Sequence, residues 1–228
     1  YWAGRANAVE LTMVAAGVRR HNWGTMAGAG IDLIPCNDFS LYDHVLDMAV
    51  LVDAVPERFR SRQAPAGLDL YFAMARGGNL HPDDHVAALE LTKWFDTNYH
   101  YLVPELGATT RFSACPDKPL SELAEAAATG VPASKAVLLG PLSLLLLSRP
   151  EQPGFDMMSL LDPLVSAYVD LLAALDGAGA AWVQLDEPVL AADRTSGELA
   201  AFERAYRRLG ESSIRPRLLV STYFGAIG

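Results

Sequence analysis

The pattern that most constrains this chain is a set of short segments with almost no polar residues inside them. A strand that faces water on one side alternates apolar and polar residues, whereas a strand covered on both faces is apolar throughout. Most of these segments are of the second kind, so they predict a parallel sheet buried between layers of helices. The five segments are Ile31–Pro35, Tyr99–Val103, Ala136–Leu139, Trp182–Leu185 and Arg217–Ser221.

Helical periodicity appears between these segments. Large apolar residues recur every three or four positions across Phe155–Leu175, and Asp156 and Gly177 suit the start and the end of that helix. Ser121–Ala128 and Glu198–Leu209 are predicted as surface helices. Strand followed by helix, repeated, predicts an α/β fold with right-handed crossovers.

The number of strand–helix units limits the architecture. A complete (β/α)8 TIM barrel needs eight units in about 250 residues. Five units are predicted in 228 residues, which fits an incomplete barrel or an open sheet. The segment Pro56–Gly78, rich in proline and glycine, is predicted to be a long excursion. We expect residues 1–228 to form a single domain.

Composition excludes several classes of protein. The formal net charge of −9 argues against a nucleic-acid partner, because binding phosphates needs a basic face. No membrane span and no secretory signal is apparent. Cys36 and Cys115 are the only two cysteines, so no disulfide framework is expected and a cytoplasmic location is favoured. Because the chain starts at Tyr1 instead of Met, we expect it to be a fragment of a longer protein.

Polar residues follow the predicted strands, where the working residues of such folds lie. The adjacent carboxylates Asp186 and Glu187 could act as an acid–base pair, as in a glycosidase. Adjacent side chains can instead point to opposite faces and serve only the structure. The residues at the strand ends are Asp38, Asp43, His44, Asn98, His100, Glu105, Asp186, Glu187, Thr222 and Tyr223.

No metal motif stands out. The chain contains neither Cys-x-x-Cys nor His-Glu-x-x-His. His81 and His85 are four residues apart, but Pro82 places His81 before any helix, so a solvated pair is expected. Cys36 and Cys115 are expected to be buried thiols. Gly-rich phosphate loops and Gly-x-Ser-x-Gly are also absent.

The segment Thr92–Tyr101 concentrates a cation, four aromatic residues, an amide and an imidazole where a helix is expected to turn into a strand. An ammonium beside aromatic walls suits a flat, anionic ligand, with Lys93 meeting carboxylates. The same residues would also fit a core of aromatics with Lys93 solvated. Residue chemistry alone leaves both interpretations open.

The run Thr92–Glu105 reads T-K-W-F-D-T-N-Y-H-Y-L-V-P-E and closely resembles a signature of cobalamin-independent methionine synthases. Further matches occur in the family's order and with near-family spacing, so the resemblance covers essentially the whole chain. They are Tyr1–Gly4, Ala29–Pro35, Asp38–Leu46, Val137–Pro141, Trp182–Pro188 and Thr222–Gly225.

This resemblance implies an enzyme of two facing (β/α)8 barrels. It would transfer a methyl group from 5-methyltetrahydropteroyl-polyglutamate to homocysteine in the last step of methionine biosynthesis. The zinc that activates homocysteine is expected in a C-terminal barrel outside this chain, so this segment alone is expected to hold no cofactor and to be inactive. The five predicted strands would be the second to sixth strands of the N-terminal barrel.

The resemblance also implies ligand contacts. Lys93 matches a lysine that contacts the polyglutamate tail, and Asn98 lies where a second polar contact with the folate is expected. The expected partners are this folate and the catalytic barrel. Two alternatives remain: a scaffold domain without a ligand, and an unrelated barrel hydrolase that uses Asp186 and Glu187.

Overall fold

The computed structural model describes residues 1–60, 67–81, 84–131 and 134–225. Short 3-10 helices lie at Glu57–Phe59, Met157–Leu160 and Pro188–Ala191. The α-helices of the described residues are α1 (Ala8–Gly28), α2 (His44–Leu51), α3 (Leu68–Arg76), α4 (Asp117–Ala128), α5 (Pro141–Leu146), α6 (Leu161–Gly177) and α7 (Ser196–Glu211). The strands are β1 (Ile34–Cys36), β2 (Gly78–His81), β3 (Asp84–Val86), β4 (Glu90–Lys93), β5 (His100–Val103), β6 (Glu105–Leu106), β7 (Ser134–Leu139), β8 (Arg149–Pro150), β9 (Trp182–Asp186) and β10 (Arg217–Ser221).

The main sheet is parallel and has the strand order β1-β7-β9-β10. Its register sets Ala136 opposite Val183, which in turn lies opposite Leu218. Helices connect these strands, as parallel pairing requires. The α/β class is therefore confirmed, and four of the five predicted strands belong to this sheet.

The predicted strand Tyr99–Val103 exists, but its expected place in the parallel sheet is wrong. Its residues form β5, which pairs antiparallel with β4, while β1 pairs directly with β7. The expected turn from a helix into a strand is also wrong, because Glu90–Lys93 is itself a strand. The Trp94 N–H donates to the Tyr99 carbonyl at 2.7 Å and closes a tight hairpin. Segments that are adjacent in the chain pair at a small cost in loop entropy. A pattern of buried apolar runs does not reveal such a pairing.

A closed barrel is not seen among the described residues. The four parallel strands form an open sheet with β1 and β10 at its edges. The expectation of five barrel strands, second to sixth, is therefore corrected to a four-stranded parallel sheet with a separate β4–β5 hairpin. Two further pairs, β2–β3 and β6–β8, lie outside the sheet.

The helices begin where the sequence supplies caps. Asp156 accepts from the Met158 N–H and starts the 3-10 turn that leads into α6, which ends at Gly177 as predicted. The predicted surface helices lie within α4 and α7, and α7 begins with a capping box between Thr195 and Glu198. The predicted excursion Pro56–Gly78 contains α3, while Pro65 lies outside the described residues.

The core lies between the sheet and its helices, and α6 is central to it. By length and composition the stretch Met157–Gly177 could cross a membrane. In the fold, however, Leu164, Tyr168, Leu171 and Leu175 on α6 are fully buried. Each such side chain contributes roughly 1.5–3 kcal/mol by leaving water. The apolar character of α6 is thus explained by the core.

Candidate functional site

The carboxyl ends of the parallel strands meet at one edge of the sheet, as expected for this class of fold. They surround a cavity of about 220 Å³. Residues that follow or end all four strands line it together with α2. The lining residues are Asn37, Asp38, His44, Asp47, Met48, Leu51, Val137, Leu138, Leu139, Asp186 and Tyr223.

Two of the carboxylates that line this cavity have raised pKa values, although Asp38 is exposed and Asp186 is half-buried. Surrounding protein atoms desolvate part of the Asp38 carboxylate and raise its pKa, partly offset by the charges of Lys118 and Lys135. Burial likewise raises the pKa of Asp186, whose carboxylate accepts from the Gln184 amide at 2.7 Å. Lys135 in turn donates to the Gln184 oxygen at 2.5 Å. The cavity therefore has an acidic wall, which is unfavourable for an anionic ligand.

Lys93 and Asn98 lie outside the cavity, on the β4–β5 hairpin. Lys93 is the last residue of β4 and pairs in register with His100. Both predicted contact residues are exposed. No ion pair to Lys93 is seen within the part of the chain that the structure describes. The Asn98 carbonyl lies 3.0 Å from His100 Nδ1, so that backbone group is already engaged.

The aromatic residues of the hairpin divide between core and surface. Trp94 and Tyr101 are buried, with ring centroids 5.5 Å apart. Tyr99 remains 44% exposed, and Phe95 contacts Phe224 at 5.1 Å between centroids. The burial of Trp94 and Tyr101 fits the interpretation as an aromatic core, and the binding of a flat, anionic ligand stays a prediction. Trp94 and Tyr101 anchor the hairpin, and Phe95 and Tyr99 leave some aromatic surface exposed on it.

Asp43 and His44 connect the start of α2 to this hairpin. The Asp43 carboxylate caps α2 and also accepts from the Leu102 N–H in β5. Its burial raises the pKa of Asp43 to about 6, although these hydrogen bonds oppose the rise. The His44 ring stands edge-on to Trp94 at 4.4 Å between centroids. Burial lowers the pKa of His44 to about 4, so its imidazole is neutral at pH 7.

Glu187 points away from the cavity. Its carboxylate accepts from the Ser143 N–H and hydroxyl at 2.7 and 2.6 Å, and from the Tyr206 hydroxyl at 2.9 Å. Complete burial raises the pKa of Glu187 to about 7 despite these four donors, the fourth being the Leu142 N–H. Asp186 and Glu187 thus belong to different surroundings, and they do not flank a common substrate position as the hydrolase alternative requires.

The other residues singled out in the sequence lie outside this cavity. Glu105 is bound by Arg58 and Arg149; burial alone would raise its pKa, but the two guanidinium groups outweigh burial and lower it. Cys36 is buried as expected, whereas Cys115 is exposed, which corrects that expectation. The side chain of His81, like Pro82, lies outside the described residues. Among the residues that are described, no group of three His, Cys, Asp or Glu residues could hold a metal ion.

A polar network that the sequence does not reveal lies behind the cavity. Lys118 on α4 donates to Asn37 at 2.8 Å and pairs with Glu122 and Asp47 at 3.1 and 3.3 Å. Only the Lys118–Glu122 pair was visible in the sequence, as a helical i,i+4 spacing. Asn37 and Lys118 are 81 residues apart, and no local pattern links them.

Comparisons with known proteins agree on one family. The protein-family model described as "Cobalamin-independent synthase, N-terminal domain" matches residues 1–228. A protein of Streptomyces coelicolor named 5-methyltetrahydropteroyltriglutamate–homocysteine methyltransferase is 54% identical over 100% of this chain and 29% of its own length. Proteins of the same name from Rhodococcus jostii and Mycobacterium tuberculosis are 50% and 47% identical, again over 100% of this chain and 29% of theirs. The chain therefore spans 29% of the length of these relatives.

A solved structure, the putative vitamin-B12-independent methionine synthase from Listeria monocytogenes, is similar in fold. Its TM-score is 0.63 at 13% sequence identity, covering 96% of this chain and 57% of that one. At this identity the likeness concerns the fold alone.

Proposed function

The chain belongs to the family of cobalamin-independent synthase N-terminal domains, and from that premise we propose that it binds the polyglutamate tail of 5-methyltetrahydropteroyl-polyglutamate. The relatives are named for this folate and for homocysteine as its methyl acceptor. In the reaction that those names describe, the methyl group passes from N5 of the folate to the homocysteine sulfur, and the thiol proton ends on the folate.

The observation that carries this proposal is the exposed cation of Lys93 at the end of β4, on a hairpin whose Tyr99 ring is also exposed. A glutamate tail is a flexible polyanion, and an ammonium without an ion-pair partner in the described residues gives up no internal salt bridge on binding it. Asn98, five residues beyond the end of β4, supplies a second polar group on the same hairpin. The acidic cavity disfavours the tail, so the tail lies over the hairpin.

The chemistry of methyl transfer is proposed to take place outside this chain. Zinc would activate the homocysteine thiol as a thiolate, but the described residues gather no set of three ligands for it. We therefore assign zinc and homocysteine to a catalytic barrel that partners this domain in the cytoplasm. The present chain then contributes affinity for the folate and makes no bond to the transferred methyl group.

Calorimetric titration of the 228-residue chain with folates of different tail length tests this function. The triglutamate form of 5-methyltetrahydrofolate should bind more tightly than the monoglutamate form, and the difference should shrink as salt is added. A free γ-linked triglutamate peptide should compete with it. If neither folate gives heat of binding, the scaffold alternative is favoured and the proposal fails.

A further inference from the structure

One buried carboxylate holds the β4–β5 hairpin against the parallel sheet. Asp43 Oδ1 accepts from the N–H groups of Val45 and Leu46 at 2.7 and 2.9 Å, which caps α2. Asp43 Oδ2 accepts from the Leu102 N–H at 3.2 Å. The side chain is fully buried. A single residue therefore joins the start of α2 to a strand 59 residues away.

Leu102 is well placed to transmit this constraint to Lys93. It lies in β5 opposite Leu91 of β4, and two residues further along the same ladder His100 lies opposite Lys93. The hairpin is only four residue pairs long, so fixing one strand fixes the other. Tethering Leu102 thus fixes the backbone from which Lys93 projects.

The neighbouring residue secures the turn end of the hairpin. The His44 ring packs edge-on against Trp94 at 4.4 Å between centroids and lies 5.8 Å from the Tyr99 ring. Among the described residues, the start of α2 contacts both the ladder and the turn of the hairpin. Neither contact involves a group with a net positive charge that could itself bind the tail.

We propose that Asp43 is a positioning residue for tail recognition: by tethering Leu102 it holds the hairpin, and hence Lys93, in the place from which the ammonium meets the glutamate tail. This inference rests on the proposed function. It predicts that loosening the tether weakens tail binding without changing the charge of Lys93.

The Asp43→Asn variant separates the tether from the cap. Its amide oxygen can still accept from the first turn of α2, since Asn caps helices about as well as Asp. Its NH2 group then faces the Leu102 N–H, donor against donor, and the tether is lost. Asp156→Asn is the matched control, because Asp156 also caps a helical start and, among the described residues, makes no hydrogen bond to the hairpin. Work at pH 8 keeps the wild-type Asp43 ionised, given its pKa of about 6.

The expected result has two readouts. Hydrogen exchange at the Leu102 amide should speed up at least tenfold in Asp43→Asn and stay unchanged in Asp156→Asn. Affinity for the triglutamate folate should fall about three- to tenfold in Asp43→Asn, with little change for the monoglutamate form. His44→Ala removes the ring that packs against Trp94 at the turn end of the hairpin. It should give a smaller loss that also depends on tail length, and it serves as the test if Asp43→Asn does not fold.

Other outcomes overturn the inference in distinguishable ways. If Leu102 exchanges faster but triglutamate affinity is unchanged, while Lys93→Glu does weaken it, Asp43 does not position the hairpin and the proposed function stands. If Lys93→Glu has no effect on triglutamate affinity, the proposed function fails and the inference with it. Equal losses for both folates in His44→Ala would place that ring on the ligand and contradict a positioning role.

Discussion

The carboxyl group of Glu187 fills the space beside the Cα of Gly140 that any larger residue would need for its side chain. A Cβ added at Gly140 would lie well inside van der Waals distance of the Glu187 carboxyl carbon and of one of its oxygens. Gly140 has an ordinary φ of −73°, so glycine is required here for space and not for backbone conformation. The contact joins the end of β7 to the end of β9.

Gly140→Ala should therefore destabilise the chain by about 1–3 kcal/mol, the usual cost of overpacking a filled core. Glu187 cannot move away freely, because four hydrogen-bond donors hold its carboxylate. Urea unfolding measures the loss. Gly17→Ala is the control: nothing lies within 4 Å of a Cβ at this helical position, so it should be neutral or stabilising. Equal stability of Gly140→Ala and the wild type would contradict this account.

The buried Glu187 should make stability fall as pH rises from about 4.5 to about 7. Its pKa is 4.5 in the unfolded chain and about 7 in the fold, so within this window only the folded state keeps the proton. The folded state binds more protons there, and stability must decrease with pH, by on the order of 3 kcal/mol in total.

The Glu187→Gln variant isolates this effect. It is needed because Asp43 and His44 also titrate in this pH window, and the titration of His44 changes stability in the opposite direction. The variant will be less stable than the wild type, because the NH2 group of its amide faces hydrogen-bond donors. The difference in unfolding free energy between the two proteins should narrow as pH rises. The unfolding free energies of both proteins should be measured across this pH window. A difference that stays constant with pH would show that Glu187 does not titrate as inferred.

Lys93→Glu should weaken binding of the triglutamate folate by on the order of 1–3 kcal/mol, the range for charged hydrogen bonds. The loss should shrink as glutamates are removed from the ligand. Arg207→Glu makes the same charge reversal at an exposed position on α7 and should have little effect. If the mono- and triglutamate forms respond equally, Lys93 does not contact the tail.

The chain should bind no stoichiometric zinc and should make no methionine from homocysteine by itself. The reason is that the described residues hold no group of three metal-binding side chains and that zinc and homocysteine are assigned to another domain. Elemental analysis of the purified chain checks the first statement. One tightly held zinc per molecule after dialysis against a weak chelator would contradict it.

The 228-residue chain should self-associate through β10. This strand is an edge of the sheet, and Val220 on it is 40% exposed. Unpaired edges with apolar side chains favour pairing between chains, and a lysine on the edge opposes it. Sedimentation velocity should show association that Val220→Lys reduces. Leu199→Lys, at a similarly exposed apolar position on α7, should not reduce it; identical behaviour of the two variants would exclude pairing through this edge.

The sequence by itself determined the elements whose signals are local. The apolar segments of β7, β9 and β10, the cap at Asp156 and the end of α6 at Gly177 were predicted to within a few residues. Resemblance of motifs identified the family, which the comparison over residues 1–228 confirmed. Burial of a strand and capping of a helix depend on residues close in the chain, so the sequence carries them directly.

Only the tertiary structure decided how distant residues meet. The pairing of β5 with β4, the tether from Asp43 to Leu102 and the network between Lys118 and Asn37 depend on contacts across many residues. The adjacent pair Asp186 and Glu187 makes the same point, since burial against Ser143 and Tyr206 separates one carboxylate from the other. Which partner a polar group finds, and hence its pKa, follows from the packing of whole elements and is not a local property of the sequence.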